Sequence, residues 1–117
     1  MSKVYQRLKG DASSVPHNIY LVCLYLLKDE ARIADEIVYP PEVPVDNHYR
    51  EMSRITVAII DAYNSIPEEA YRKALRKHFI ANEQIRFLAP KYNISEKTLS
   101  RWKSWLIYAI AKNLNLI

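Results

Sequence analysis

The chain has 117 residues, half of them hydrophobic, with a formal net charge of +4 and a single glycine. This length predicts one domain, or one small domain with a helical extension, and the apolar fraction is enough for a core. One glycine is too few for an all-β fold with many tight turns. It also excludes the glycine-rich loops with which Walker-type and dinucleotide-binding sites hold phosphates.

Cys23 is the only cysteine and lies in the apolar run IYLVCLYLL, residues 19–27. A lone cysteine forms no internal disulfide, so we expect a reducing compartment and interpret the residue as a small buried hydrophobe. The run is shorter than the roughly 20 apolar residues that cross a bilayer, and no signal-peptide cleavage site follows it. We therefore expect a cytoplasmic protein without a membrane partner.

The charge is segregated along the chain. Residues 1–28 carry four basic and one acidic residue, residues 29–70 carry three basic and ten acidic, and residues 71–112 carry ten basic and two acidic. A charge run is often only a solvated face. Concentrated in one segment, however, a net +8 is typical of a surface that contacts phosphates.

Residues 1–16 contain the glycine, paired serines and a proline, and are predicted to be a mobile lead-in. From residue 17 to residue 38 apolar side chains recur near helical spacing, which predicts a long N-terminal helix. YPPEVPVDN, residues 39–47, then stops the helix and forms a stiff connector, because three prolines in five residues cannot continue it. We expect residues 17–47 to form an N-terminal unit and residues 48–117 a second one. The predicted apolar stripe of the first helix is Ile19, Val22, Leu26, Ile33 and Ile37.

A second helix is predicted over residues 49–65, where an apolar stripe again has helical spacing. The segment SIPEEAYRKALRKHF then opens a third helix, with Ser65 and Glu68 spaced as in a capping box and Pro67 suited to a first turn. Two further helices are predicted over residues 82–92 and 96–115. No strand-like alternation competes, so the predicted fold is all-α, a helical bundle. The stripe of the second helix is Met52, Ile55, Ile59, Ala62 and Ile66; the third helix has an inward face of Ala70, Ala74, Leu75 and Phe79 and an outward face of Arg72, Lys73, Arg76 and Lys77.

The stretch LAPKYNISEKTLSRW has the residue pattern of a helix-turn-helix, in which the second helix enters the major groove. Ala89 provides the small residue needed where the helices cross. Asn93, four residues on, tolerates the left-handed backbone of the turn. Pro90 is expected to kink the first helix or to end it at Ala89. The apolar positions around the turn are Leu88, Tyr92, Ile94, Leu99 and Trp102.

Helical spacing then defines an outward face of the last helix. Arg101 is the candidate for base reading, because its guanidinium can pair with the two major-groove acceptors of guanine. Glu96 either accepts from a cytosine amine or favours the helix N-terminus. A packed trihelical core without DNA contact is the alternative interpretation. The face comprises Ser95, Glu96, Lys97, Ser100, Arg101 and Ser104, with Thr98 at its margin; the predicted phosphate contacts are Lys97, Lys103, Arg72, Lys73, Arg76 and Lys77.

The last helix continues with an apolar stripe almost to its end. This stripe either packs across the second helix or supplies a dimer face, which leaves a homodimer open. Trp105 and Tyr108 lie off the stripe. Its members are Trp102, Leu106, Ala109, Ile110 and Leu114.

Two quoted segments carry a family resemblance. EMSRITVAIIDAYNSIPEEAYRKALRKHF followed by LAPKYNISEKTLSRWKSWLIYAIAKNLNL resembles phage-encoded late-gene transcriptional regulators of the RinA/ArpU type, whose C-terminal part is similar to region 4 of sigma factors. The resemblance covers residues 48–117. It implies sequence-specific binding of double-stranded DNA that activates phage late genes for packaging and structure, in the cytoplasm of a bacterial host and at its nucleoid when bound. The recognition positions it implies are Lys97, Thr98, Ser100 and Arg101.

No catalytic constellation is visible. His17, His48 and His78 lie about thirty residues apart without metal-ligand spacing, so we expect no enzyme activity, no metal and no cofactor. Two other functions stay open. One is a small terminase-type DNA-packaging protein; the other is a protein-interaction module that binds host RNA polymerase or a sigma factor.

Overall fold

The structure, a computed structural model, describes residues 14–30, residue 32 and residues 47–117, with side chains described from residue 50 in the last range. Within these ranges the protein is all-helical, and no residue lies in a strand. The all-α prediction is confirmed for this part of the chain, which forms a helical bundle. Its helices are α1 (His17–Lys28), α2 (Asn47–Asn64), α3 (Glu69–Ile80), α4 (Ile85–Lys91) and α5 (Glu96–Asn113).

Helix α5 is the centre of the bundle and packs against each of the other four helices. A helix surrounded in this way must be apolar on most of its circumference. The predicted stripe is buried throughout, and Ile107 and Ala111 are buried beside it. The apolar band is therefore wider than the stripe, because α1 and α2 both pack on α5. The buried residues of α5 are Leu99, Trp102, Leu106, Ile107, Ala109, Ile110 and Ala111.

Helix α2 and the turn after it bury the predicted stripe: Ile55, Ile59 and Ala62 of the helix and Ile66 of the turn are buried, and Met52 is half-buried against them. Side-chain bonds also fasten α2 to the end of α5. Asn113 Nδ2 donates to the Ala58 carbonyl at 3.1 Å, and Arg54 Nη1 donates to the Leu114 carbonyl at 3.4 Å. Of the two alternatives for the C-terminal stripe, packing across the second helix is the one observed.

The start of α3 differs from the predicted capping box. The N-cap residue is Glu68, and its side chain makes no capping hydrogen bond. Ser65 Oγ donates to the Ala62 carbonyl at 2.6 Å and accepts from Trp105 Nε1 at 2.9 Å. The capping-box prediction is wrong because the serine hydroxyl finds partners in α2 and α5. On the inward face Ala74, Leu75 and Phe79 are buried and Ala70 is half-buried.

Helix α1 ends at Lys28, ten residues before the predicted end; Glu30 and Arg32 are again helical, and residues 33–38 lie outside the described residues. Its buried residues are Cys23 and Leu27, whereas Val22 is exposed. The predicted stripe was therefore shifted by one position. Burial raises the pKa of the Cys23 thiol to about 11, as expected of a buried thiol in an apolar setting.

Val15, at the end of the predicted mobile lead-in, is buried in the core. Residues 1–13 of the lead-in and residues 39–46 of the proline-rich connector lie outside the described residues. None of the described helices combines the length and the apolarity that a membrane crossing requires.

Candidate nucleic-acid interface

Helices α4 and α5 are joined by a tight turn. Two backbone carbonyls near the end of α4 accept hydrogen bonds from N–H groups of this turn. The Ile94 N–H donates to the Ala89 carbonyl at 2.8 Å, and the Asn93 N–H donates to the Pro90 carbonyl at 3.1 Å. This pair of bonds is a Schellman motif, which needs a left-handed residue just after the helix. Asn93 occupies that position with φ 61°. The prediction of a left-handed backbone at Asn93 is confirmed.

Pro90 lies inside α4, which continues to Lys91, so the predicted end of the helix at Ala89 is wrong. Proline lacks an N–H and therefore cannot donate to the carbonyl of Arg86. Its own carbonyl still accepts a bond from Asn93, so proline does not interrupt the closing turn of α4. The helix also starts later than predicted, at Ile85, because Asn82 is left-handed at φ 57° and Gln84 is extended.

Ser95 caps α5, as the sequence indicated. The Thr98 N–H donates to Ser95 Oγ at 3.1 Å, and the Ser95 hydroxyl lies 2.8 Å from Thr98 Oγ1. Glu96 stands in the first turn, where a carboxylate interacts favourably with the helix dipole. Cap and turn together determine the direction in which α5 leaves the turn.

The first two turns of α5 have one buried and one solvent-facing side. Leu99 and Trp102 are buried, while Lys97 is exposed and Arg101 is partly exposed. Lys97 and Arg101 are four residues apart, so they lie on the same side of the helix. On the remainder of the predicted outward face, Ser95, Glu96 and Ser100 are exposed, and Thr98 and Ser104 are half-buried.

Lys103 faces a different direction from Lys97 and Arg101. Its ammonium lies 5.7 Å from the centroid of the Phe79 ring, on the α3 side. Burial lowers its pKa, and the charge of Lys28 lowers it further. Two residues correspond to about 200° around a helix, which is why Lys103 and Arg101 diverge.

The basic residues of α3 divide into two pairs. Lys73 and Lys77 are exposed, as predicted; Lys73 Nζ lies 3.3 Å from Glu69 Oε1, and Lys77 lies beside the side chains of Lys91 and Tyr92. Lys91 had not been assigned to the interface. Only the packing of α3 against α4 brings Lys77 and Lys91 together, and no local spacing rule connects positions fourteen apart.

Arg72 and Arg76 are half-buried and bonded within the protein, which corrects the prediction that they face outward. Arg72 Nη1 donates to the Ile66 carbonyl at 2.5 Å, which ties α3 to the turn before it. Arg76 forms an ion pair with Glu30, whose side chain is only 12% exposed. The Arg76 guanidinium carbon also lies 3.9 Å from the centroid of the Tyr63 ring.

Phe87 is a second residue that sequence reasoning missed. It is 63% exposed, and the Arg86 guanidinium carbon lies 4.8 Å from its ring centroid. Phe87 borders a cleft of about 430 Å³. An apolar residue in a short helix is ordinarily interpreted as core, so composition alone gave no signal for its exposure. The lining residues are Asn82, Glu83, Gln84, Phe87, Leu88 and Lys91.

His17 and His78, the histidines whose side chains the structure describes, each lie against neighbouring groups. His78 Nδ1 lies 2.8 Å from the Glu83 carbonyl and donates to it. His17 stacks near Tyr20, and His48 has no described side chain. Among the described residues no three His, Cys, Asp or Glu side chains are grouped closely enough to bind a metal ion.

Comparison of the chain with known proteins gives no further assignment. No protein-family model, no curated protein and no solved structure matches it. A function must therefore be inferred from the geometry and charge of the surface formed by the α4–α5 turn, the start of α5 and the exposed lysines of α3 and α4.

Proposed function

We propose that the protein is a sequence-specific transcription regulator that binds double-stranded DNA, with α4 and α5 acting as a helix-turn-helix. The observation that carries this proposal is that the first two turns of α5 bury one side in the core and leave the opposite, basic side facing solvent. Leu99 and Trp102 anchor one side in the core, and Lys97 and Arg101 lie together on the other. A helix presented in this way fits the major groove, which admits an α-helix and displays a distinct pattern for each base pair.

The turn between α4 and α5 supports the proposal because it holds the start of α5 in one orientation. The left-handed Asn93 and the Ser95 cap hold the start of α5, and the four surrounding helices hold its length. A reading residue on a rigid element loses little conformational freedom on binding. In this arrangement Arg101 pairs with a guanine edge, and Lys97 and the exposed Ser100 contact neighbouring groups.

The phosphate contacts of the proposal come from exposed lysines on two helices. Lys73 and Lys77 of α3 are joined by Lys91 of α4, since Lys77 and Lys91 lie side by side. A group of exposed ammonium groups on two adjacent helices attracts the phosphates of a DNA backbone. Arg72 and Arg76 are half-buried and bonded to residues outside their own helix, and Lys103 lies over the Phe79 ring, so these three are left out of the proposed contact set.

Activation of phage late genes is the specific role proposed for this DNA binding. Its support is the resemblance of residues 48–117 to RinA/ArpU-type regulators, quoted above. A regulator of this kind would contact host RNA polymerase or a sigma factor while it is bound beside a promoter. Binding to DNA and activation are separable, so each needs its own measurement.

The test of DNA binding is a fluorescence-anisotropy titration of a labelled duplex, first with random sequence and then with a duplex selected from a random pool. We expect binding at low salt and a steep loss as salt rises, because each neutralised phosphate releases counterions. With about four phosphate contacts, affinity should fall about 100-fold between 50 and 200 mM salt. The control variant is Lys112→Ala, which removes the same charge at the far end of α5.

Three outcomes would contradict the proposal. Absence of binding at low salt, or binding that is insensitive to salt, would favour a protein-interaction module. An eight- or nine-fold ring in solution would favour a terminase-type packaging protein, and a simple regulator would then be ruled out.

A further inference from the structure

The outer side of α2 carries apolar residues that no described helix covers. Val57 is 56% exposed and Ile60 is 42% exposed, while their neighbours Ala58 and Ile59 are buried in the core. Beside Val57 runs a groove of about 400 Å³ between α2 and the end of α5. The groove is lined by Ser53, Arg54, Val57, Ala58, Asp61 and Asn113.

Two opposite charges flank Val57 on this side of α2. Arg54 lies one turn before Val57 and Asp61 one turn after it, and both are exposed. Seven residues correspond to nearly two full turns, so Arg54 and Asp61 lie on the same side of the helix about 10 Å apart. The midpoint between them falls between Val57 and Ala58.

We propose that this face of α2, defined by Arg54, Val57, Ile60 and Asp61, binds a second copy of the same chain. In an isologous contact a two-fold axis relates the two copies. A residue that contacts a second position on the other copy is therefore matched by the reverse contact, in which the second position contacts the first. With the axis between Val57 and Ala58, two antiparallel α2 helices place each Arg54 opposite Asp61 of the second copy. The same operation brings the two Val57 side chains together over the grooves.

The hydrogen-bonding capacity of Arg54 permits this pairing. Its Nε and Nη2 donate to Glu51 at 3.3 and 2.7 Å, and its Nη1 donates to the Leu114 carbonyl. These bonds use three of the five guanidinium hydrogens, which leaves two for a carboxylate of the second copy. The Asp61 carboxylate makes no hydrogen bond or ion pair with any other described side chain.

Self-complementarity favours a second copy over an unrelated protein. An arbitrary partner would need an apolar strip with an acid and a base in this spacing, whereas α2 itself carries that pattern. Stable interfaces bury about 800 Å² on each partner, more than two turns of one helix supply. We therefore expect a weak, concentration-dependent dimer, and this inference does not depend on DNA binding.

The test is sedimentation equilibrium of the full chain from about 1 µM to about 1 mM, which covers the affinity range of weak complexes. The average mass should rise from one chain towards two. Val57→Glu should weaken self-association at least tenfold, because it places two carboxylates at the axis. The control Phe87→Glu adds the same charge at another exposed apolar residue and should leave the mass unchanged.

Charge reversal tests the register directly. Arg54→Asp alone and Asp61→Arg alone each oppose like charges, so each variant should remain monomeric at concentrations where the unmodified chain associates. An equimolar mixture of the two should form a one-to-one heterodimer. The double variant R54D/D61R should self-associate again, to within about threefold of the unmodified chain. Circular dichroism checks that each variant folds, since Arg54 also bonds to the end of α5.

Four results would overturn the proposal. A monomeric mass at every concentration would exclude the dimer. Self-association that persists in Val57→Glu, or the failure of the mixed variants to form a heterodimer, would exclude this face and register. Association that is lost instead on Tyr25→Glu would assign the contact to the exposed apolar residues of α1.

Discussion

The guanidinium of Arg76 lies 3.9 Å from the centroid of the Tyr63 ring, and the same group pairs with Glu30. One arginine therefore joins α3 to α2 and to the residues that follow α1. The neighbouring Lys77, one position along α3, is exposed and lies beside Lys91. Arg76 and Lys77 are adjacent in α3 but have different surroundings. We therefore expect Arg76 to contribute to the stability of the fold and Lys77 to DNA binding.

Lys77→Ala and Arg76→Ala should have contrasting effects. We expect Lys77→Ala to weaken binding to all DNA sequences alike and to reduce the slope of log affinity against log salt by about 1. Arg76→Ala should instead lower the free energy of unfolding by about 1–2 kcal/mol, because it removes a cation–π contact and leaves Glu30 without its partner. Urea unfolding and anisotropy titrations of both variants measure the two effects. A larger change in salt slope for Arg76→Ala than for Lys77→Ala would reverse the assignment.

Arg101→Ala should relax sequence discrimination. If Arg101 pairs with a guanine, its removal lowers the preference for that base by about 1–3 kcal/mol while binding to random DNA changes little. Selection from a random duplex pool, carried out with the unmodified chain and with the variant, measures the preference at each position. Lys112→Ala is the matched control and should retain the original site. An unchanged preferred site in Arg101→Ala would refute base reading by this residue.

Asn93 should be replaceable by glycine but not by a β-branched residue. At φ 61° a Cβ clashes with the backbone, and asparagine tolerates this region better than most residues. We expect Asn93→Val to cost about 1–2 kcal/mol of unfolding free energy and Asn93→Gly to be close to neutral. Asn115, at φ 58° beyond α5, is a matched position for the same pair of substitutions. Equal stability of Asn93→Val and the unmodified chain would mean that the turn is not left-handed.

His78 should make stability depend on pH in the weakly acidic range. Burial lowers the pKa of His78, its bond to the Glu83 carbonyl opposes this, and the charges of Lys103 and Lys28 lower the pKa further. The unfolded chain then binds the proton more readily than the folded one, so protonation favours unfolding. The stabilising effect is complete above the unfolded pKa, near 6.5, and is lost as the pH falls through the lower folded pKa.

Urea unfolding between pH 8 and pH 4.5 measures this dependence. His78→Asn should reduce the loss of stability below pH 6.5, whereas His17→Asn, at an exposed position of α1, should leave it unchanged. Identical pH profiles for the unmodified chain and His78→Asn would show that His78 does not contribute.

Short-range features of this protein were predictable from sequence. The stripe of α2, the cap at Ser95 and the left-handed Asn93 each depend on residues within about one or two helical turns. Such features follow from helical period, backbone sterics and local hydrogen bonding, all of which operate between near neighbours. The all-helical architecture could be predicted for the same reason.

Tertiary structure alone decided which cations remain at the surface and that the Ser65 hydroxyl does not cap α3. Arg76 is 46 residues from Glu30, and Ser65 is 40 residues from Trp105. The same holds for α1, where packing against α3 and α5 buries Cys23 and Leu27 and leaves Val22 exposed. Periodicity marks a helix as amphipathic, but the partner helices determine which of several similar faces is buried and which polar groups are engaged.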